Sequence, residues 1–222
     1  MDKDQPKKIV TAEEYQEARK HLLTQEKAST HLLQKLAETR RNLPMVRITN
    51  PARFKFDTLT GEKTLLDLFD NRKQLILYHF MLAPHEKVGC VGCSLCMDHI
   101  PPLGHLHSRD TSFAAVATAS IEEIADFGER MGWEFPFYSS AKTHRAWEEA
   151  ERNGEVITWK PGNGYFGLCS FFRDGDEVFH TYETSSRGLE IILSTYHLLD
   201  MTALGRQEVG NGMGMFRRLD EY

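Results

Sequence analysis

The sequence has no long apolar run and no excess of positive charge. None of its apolar segments approaches the roughly 20 residues that a transmembrane helix needs. The chain of 222 residues carries 27 Lys and Arg against 32 Asp and Glu, so its formal net charge is −5. Because nucleic-acid binding relies on basic side chains that neutralise phosphates, we expect neither a nucleic acid nor a membrane as a partner.

Cysteine is scarce, and its distribution argues against a disulfide framework. Only four cysteines are present, and three of them fall within residues 90–96. A disulfide framework spreads its cysteines to connect distant loops, whereas clustered cysteines in a reducing compartment are typical of redox chemistry or metal binding. The first residues, 1–6, lack the apolar core of a secretory signal peptide. We therefore expect a cytoplasmic protein.

The hydrophobic content of 41% is enough for one sizeable core with a helical extension. Thr11 to Glu14 has the form of a capping box, and apolar residues recur near one helical face from Tyr15 to Leu36. We predict an N-terminal helical arm over 1–45, a domain over 46–204 and a C-terminal tail over 205–222. The apolar stripe of the arm favours packing on its own domain, with a partner or a homo-oligomer as the alternative.

Beyond the arm, apolar runs and turn signals define an alternating order of elements. We predict a strand at 74–82, a helix beginning near Cys93, a strand at 112–119, a helix at 121–131, strands at 165–172 and 177–183, and a last helix at 187–199. Asp174-Gly175 joins the last two strands as an antiparallel hairpin, and the first two pair in parallel through a crossover. This βαβαββα order predicts an α/β, thioredoxin-like fold with a central mixed sheet, flanking helices and the N-terminal helical extension.

Cys90 and Cys93 form a Cys-x-x-Cys motif directly after the strand at 74–82 and at the start of a helix. Amides at a helix N-terminus stabilise a thiolate, and in such pairs the first thiol attacks a disulfide while the second resolves the mixed disulfide. The motif therefore predicts a thiol–disulfide oxidoreductase with catalytic Cys90 and Cys93. Its substrate is a small-molecule or protein thiol or disulfide. For Cys96, one helical turn further on, packing and function are equally supported.

The third cysteine of the cluster supports a second interpretation, a metal site. Cys90, Cys93 and Cys96 together with His99 offer three thiolates and an imidazole, a donor set that suits zinc or copper(I). The protein would then be a metal carrier or a metal-dependent oxidase. The other imidazoles considered are His79, His105, His107 and His180.

Two further interpretations of the sequence remain open. Cys169, in the strand at 165–172, is best explained as a packed thiol, with an orientation towards the cysteine cluster as the alternative. The stripe of the N-terminal arm also allows a non-enzymatic interaction module.

The segments that carry a family resemblance extend over most of the chain. They are 14–41, 43–47, 74–82, 89–94, 109–110, 131–133, 172–175, 178–182 and 220–222. Through them the sequence resembles the thioredoxin-like proteins of the domain-of-unknown-function 899 family, distantly related to the alkyl-hydroperoxide-reductase and thiol-specific-antioxidant superfamily. The resemblance implies a thioredoxin fold and a candidate thiol–disulfide oxidoreductase, with Cys90 as the attacking thiol and Cys93 as the resolving thiol.

The sequence departs from this family pattern at four places, one of which is the divergent segment 142–162. Val91-Gly92 replaces the usual proline-containing pair, Cys96 takes a position usually held by an aromatic or aliphatic residue, and no proline directly precedes the strand at 165–172. The sequence also lacks a Pro-x3-Thr-x2-Cys motif, so it gives no support to a typical peroxiredoxin mechanism.

Overall fold

The computed structural model describes residues 8–161, 166–210 and 215–222, and the chain divides into two units, Met1–Leu43 and Pro44–Tyr222. The first unit contains one long helix, α1 (Ala12–Arg41). Its capping box is present, since Glu14 N–H donates to Thr11 Oγ1 (3.2 Å) and Thr11 N–H donates to Glu14 Oε2 (3.0 Å). Within the described residues, no helix combines the length and the apolarity that a membrane span requires.

The second unit combines short strands and helices. The strands are β1 (Val46–Arg47), β2 (Lys55–Thr58), β3 (Gly61–Thr64), β4 (Gln74–His79), β5 (Thr111–Ala117), β6 (Phe137–Ser139), β7 (Gly167–Asp174) and β8 (Glu177–Thr184). The α-helices are α2 (Val91–Met97), α3 (Gly104–His107), α4 (Ile121–Met131), α5 (Ala141–Arg152) and α6 (Ser194–Asp200). Short 3₁₀ helices cover Pro51–Arg53, Asp67–Phe69, Ser186–Ile192 and Leu219–Glu221.

The strands form one sheet in the order β1-β8-β7-β4-β5-β6-β2-β3. Strand β4 pairs in parallel with β5 and antiparallel with β7, and β7 pairs antiparallel with β8. With α2 after β4, α4 after β5 and α6 after the β7–β8 hairpin, these four inner strands reproduce the predicted βαβαββα order. The protein therefore has a thioredoxin-like α/β fold, extended by β1 at one edge and by β6, β2 and β3 at the other.

Side chains of β4 and the residues just after it alternate between two cores, because successive residues of a strand point to opposite faces. Tyr78, Phe80 and Leu82 pack in a first core that also contains Cys93 and Cys96. Leu75 and Leu77 pack in a second core. That core also contains Trp147, Trp159 and Cys169. The apolar run at 74–82 is thus covered on both faces, as a central strand requires.

Several predicted elements differ in detail from the structure. The strand predicted at 74–82 ends at His79, and the strand predicted at 112–119 is Thr111–Ala117. The last helix, predicted as continuous over 187–199, is divided into the 3₁₀ helix Ser186–Ile192 and α6. Leu193 separates them with a ψ of 84°, and its side chain is fully buried, so core packing at this residue outweighs helix continuity. The strand predicted at 165–172 is β7, which begins at Gly167, and Tyr165 lies outside the described residues.

We expect Leu77→Ala to lower the free energy of unfolding by about 2–5 kcal/mol, because it leaves a cavity in a fully packed core. The Leu77 side chain has 0% exposure. Urea denaturation followed by circular dichroism measures the change. Leu59→Ala is the matched control, since Leu59 is 70% exposed and its loss should change stability by less than about 0.5 kcal/mol. Equal effects of the two substitutions would contradict the assignment of the second core.

Candidate functional site

Cys90 is the residue immediately before α2, at the end of the loop that follows β4. Its N–H donates to the carbonyl of Met81 (3.0 Å). Its carbonyl accepts from the N–H of Ser94 (2.9 Å) and from the Ser94 hydroxyl (3.0 Å). These hydrogen bonds therefore hold the Cys90 backbone between Met81, two residues beyond β4, and the first turn of α2.

The thiols of Cys90 and Cys93 have opposite environments although only two residues separate them in the chain. Cys90 is half-buried and Cys93 is buried. A hydrogen bond from the Cys93 side chain lowers the pKa of Cys90 to about 6, helped by the N–H groups of Cys93 and Gly92 and by the charge of Arg218, against the effect of burial. The hydrogen bond to Cys90 and burial raise the pKa of Cys93 far above its usual value. At neutral pH the pair is therefore one thiolate and one thiol.

Cys96 lies deeper in the first core than Cys90. Burial raises the pKa of Cys96 to about 11, so this thiol is protonated at neutral pH. The buried hydroxyl of Tyr78 lies beside the Cys93 and Cys96 sulfurs and has no other hydrogen-bond partner in the described part of the chain. The surroundings of Cys96 are therefore those of a packed thiol.

The C-terminal segment contributes a cation to the site. Arg218 Nε and Nη2 both donate to the carbonyl of Gly89, at 3.0 and 2.8 Å, and Nη1 pairs with Glu221 at 2.7 Å. The segment is itself held by an ion pair between Asp220 and Arg130 (2.6 Å). Sequence reasoning missed Arg218, because 129 positions separate it from Gly89 and no local pattern connects the two.

Gly89 allows the close approach of the chain that precedes Cys90. A Cβ atom at this position would overlap the ring of Phe80 and would stand 3.0 Å from the ring of Phe127. Both rings belong to the first core. A side chain at position 89 would therefore displace either the two rings of the first core or the backbone of residue 89, which is bonded to Cys90.

The structure does not gather the predicted metal ligands around Cys90. His99 Nδ1 is 2.6 Å from the carbonyl of Leu95, and Nε2 is 2.7 Å from the hydroxyl and 3.1 Å from the N–H of Thr195. Both ring nitrogens of His99 are thus engaged. Among the described residues, no three ligand atoms from Cys90, Cys93, Cys96 and His99 lie within 4.8 Å of one another.

The remaining candidates lie elsewhere in the fold. His105 and His107 belong to α3. His79 packs beside Trp147 and Trp159 of the second core, with ring centroids 5.7 and 6.5 Å apart. His180 packs on Phe171 of the same core.

Cys169 is a buried thiol of the second core and does not face the cysteine cluster, which packs in the first core.

A comparison with known protein families shows which family the chain belongs to. Residues 4–222 match the family described as "Bacterial protein of unknown function (DUF899)". The chain belongs to the DUF899 family. The resemblance predicted from the sequence segments is therefore confirmed over nearly the whole length of the chain. No curated protein matches it.

Solved structures similar to this DUF899 protein share low identity with it. The bacterioferritin comigratory protein of Xanthomonas campestris, whose structure is described in terms of alkyl peroxide reduction, has a TM-score of 0.43 at 13% identity, covering 69% of this chain and 96% of its own. The peroxidoxin BcpB of Mycobacterium tuberculosis has a TM-score of 0.41 at 16% identity, covering 71% and 97%. Apo Sco1 of Thermus thermophilus has a TM-score of 0.36 at 15% identity, covering 70% and 96%. Similarities this weak carry no argument about activity.

We expect alkylation of Cys90 by iodoacetamide to rise with pH through a midpoint near 6, because only the thiolate reacts and the pKa of Cys90 is about 6. Mass spectrometry of the Cys90 peptide at a series of pH values measures the midpoint. Cys93→Ala removes the main hydrogen-bond donor and should move the midpoint upwards, towards the value of about 8.5 of a free cysteine. A wild-type midpoint near that free-cysteine value would contradict the described environment.

We expect Arg218→Gln to raise the alkylation midpoint of Cys90 by less than Cys93→Ala does. The charge of Arg218 lowers the pKa of Cys90, but it is the weakest of the contributions. Arg217→Gln is a matched control, because among the described residues the Arg217 guanidinium donates to the carbonyl of Glu221 alone (3.4 Å). A midpoint that responds equally to both arginine substitutions would show that Arg218 has no specific effect on the thiolate.

Proposed function

We propose that this protein is a thiol–disulfide oxidoreductase in which Cys90 attacks the substrate and Cys93 resolves the intermediate. The observation that carries the proposal is the asymmetry of the pair. Cys90 is half-buried with a lowered pKa of about 6, and Cys93 is buried with a raised pKa. A thiolate at neutral pH beside a protonated second thiol is the arrangement that disulfide exchange requires.

The proposed reaction transfers two electrons to a disulfide substrate. The Cys90 thiolate attacks one substrate sulfur, an S–S bond forms between them, and the substrate S–S bond breaks to release a thiolate that takes a proton from solvent. Cys93 then loses its proton to solvent and attacks the Cys90 sulfur. This second step forms the Cys90–Cys93 disulfide and breaks the mixed disulfide, and the other substrate sulfur leaves as a thiolate that takes a proton from solvent. An external dithiol returns the protein to the reduced form.

The hydrogen bond between the Cys90 and Cys93 side chains determines the order in which the two thiols become reactive. The main cause of the raised pKa of Cys93 is its hydrogen bond to Cys90, and the charge on Cys90 adds to it. When Cys90 becomes part of a mixed disulfide, its negative charge is lost and both effects disappear. The pKa of Cys93 therefore falls at the stage when its thiolate is needed.

The loop that precedes Cys90 is exposed over residues 83–88. A mostly apolar cavity of about 380 Å³ is lined by Met81 and Ala83 of the same part of the chain, and neither Cys90 nor Cys93 belongs to its lining. The exposed loop supports approach of a substrate from solvent. The assay therefore uses one protein disulfide and one small-molecule disulfide.

Reduction of insulin by dithiothreitol, followed by turbidity, tests the proposal. We expect catalysis by the wild type, background rates for Cys90→Ser, and accumulation of a mixed disulfide for Cys93→Ser, because the resolving thiol is missing. Cys96→Ser is the matched control and should retain activity. A parallel assay replaces insulin with a small aromatic disulfide. Rates no better than those of a Cys90→Ser, Cys93→Ser double variant with both substrates would refute the proposal.

A further inference from the structure

A second group of metal-binding side chains lies on the second-core face of the sheet. Cys169 is on β7, and His180 and Glu183 are on β8. The Cys169 sulfur, a His180 ring nitrogen and a Glu183 carboxylate oxygen all lie within 4.8 Å of one another. Among the residues that the structure describes, this is the only set of three such ligand atoms. Neither Cys90 nor Cys93 belongs to it.

A β-bulge brings these three side chains to the same face. Cys169 lies opposite Glu183 in the β7–β8 ladder, and Phe171 lies opposite His180, with a shift of register between Ser170 and Phe171. In a regular strand, residues 180 and 183 would point to opposite faces, since side chains alternate. The extra residue of the bulge reverses the alternation, so His180 joins Glu183 beside Cys169.

The hydrogen bonds of His180 leave one ring nitrogen as an electron-pair donor. His180 Nε2 is 3.1 Å from the carbonyl of Tyr182, which only accepts, so Nε2 carries the proton. Nδ1 is then the unprotonated nitrogen and accepts from the hydroxyl of Thr158 (2.9 Å). A histidine that donates one N–H to a backbone carbonyl and presents its other nitrogen is the usual arrangement of a metal ligand. An ion would displace the rotatable hydroxyl of Thr158 from Nδ1, and it would replace the hydrogen bond that the Cys169 thiol donates to the carbonyl of Trp159 (3.6 Å).

A cavity of about 500 Å³ reaches the group from outside, and its lining includes Cys169 and Glu183. His79 also lines this cavity. The His79 side chain is only 2% exposed, and its Nε2 atom is buried without a hydrogen-bond partner. A buried nitrogen without a partner is costly unless a bound species supplies one.

We propose that Cys169, His180 and Glu183 bind a divalent transition-metal ion of the zinc type. One thiolate, one imidazole and one carboxylate match the ligand types of zinc, and three protein ligands with a water in the fourth position are typical of zinc sites that remain open. Magnesium and calcium prefer oxygen ligands only. On binding, the Cys169 thiol releases its proton to solvent. The site is independent of the proposed oxidoreductase function.

Cobalt(II) is the probe, because its bond to a thiolate gives a charge-transfer absorption band in the near ultraviolet. The reduced full-length protein, freed of metal with a chelator, is titrated with Co²⁺, and Zn²⁺ is then added as a competitor. We expect the band in the wild type and in the triple variant Cys90→Ser, Cys93→Ser, Cys96→Ser. We expect Zn²⁺ to remove it and Cys169→Ser to lack it.

Glu183→Gln tests the site without altering the core, because Glu183 is exposed. We expect it to weaken cobalt affinity on the order of tenfold or more, while insulin reduction stays unchanged. Glu177→Gln, at the other end of β8, is the matched control and should leave the affinity unchanged. Three results would overturn the proposal: a wild type without the band, a band lost in the triple cysteine variant, or an affinity unaffected by Glu183→Gln.

Discussion

The structure depends on burying the central strand β4 on both faces. Its side chains alternate between two cores, so Tyr78 packs with the cysteine cluster and Leu77 packs with the aromatic residues of the second core. The chain beyond β4 continues this alternation, and the carbonyl of Met81 holds the N–H of Cys90. The position of Cys90 is therefore a consequence of the packing of the strand that precedes it.

The hydrogen bond between Cys90 and Cys93 is the main cause of their different pKa values, and burial is the main cause of the raised pKa of Cys96. Cys90 is half-buried and receives the hydrogen bond of Cys93, whereas Cys93 and Cys96 are buried and keep their protons at neutral pH. Gly89 lets the chain pass against Phe80, and Arg218 holds the Gly89 carbonyl. The environment of the proposed redox pair thus depends on a packed backbone and on a segment far away in the sequence.

The two sites that we propose lie on opposite faces of the sheet. The first core contains the Cys-x-x-Cys pair, and the second face contains Cys169, His180 and Glu183. In the functions that we propose, Cys90 is a nucleophile, and Cys169 is a metal ligand beside an imidazole and a carboxylate. The bulge in β8 is the local irregularity that makes the second arrangement possible.

The order of strands and helices and the location of Cys90 before a helix could be predicted from the residues alone, because they follow from local apolar periodicity and turn signals. The division of the last helix at Leu193 could not, since a buried contact decides it. The approach of Arg218 to Gly89 and the hydrogen bonds of both His99 ring nitrogens could not be predicted from the residues alone either. These contacts join residues distant in the chain. The β-bulge likewise places His180 on the face opposite to the one that regular strand alternation assigns. Only the tertiary structure reveals this bulge.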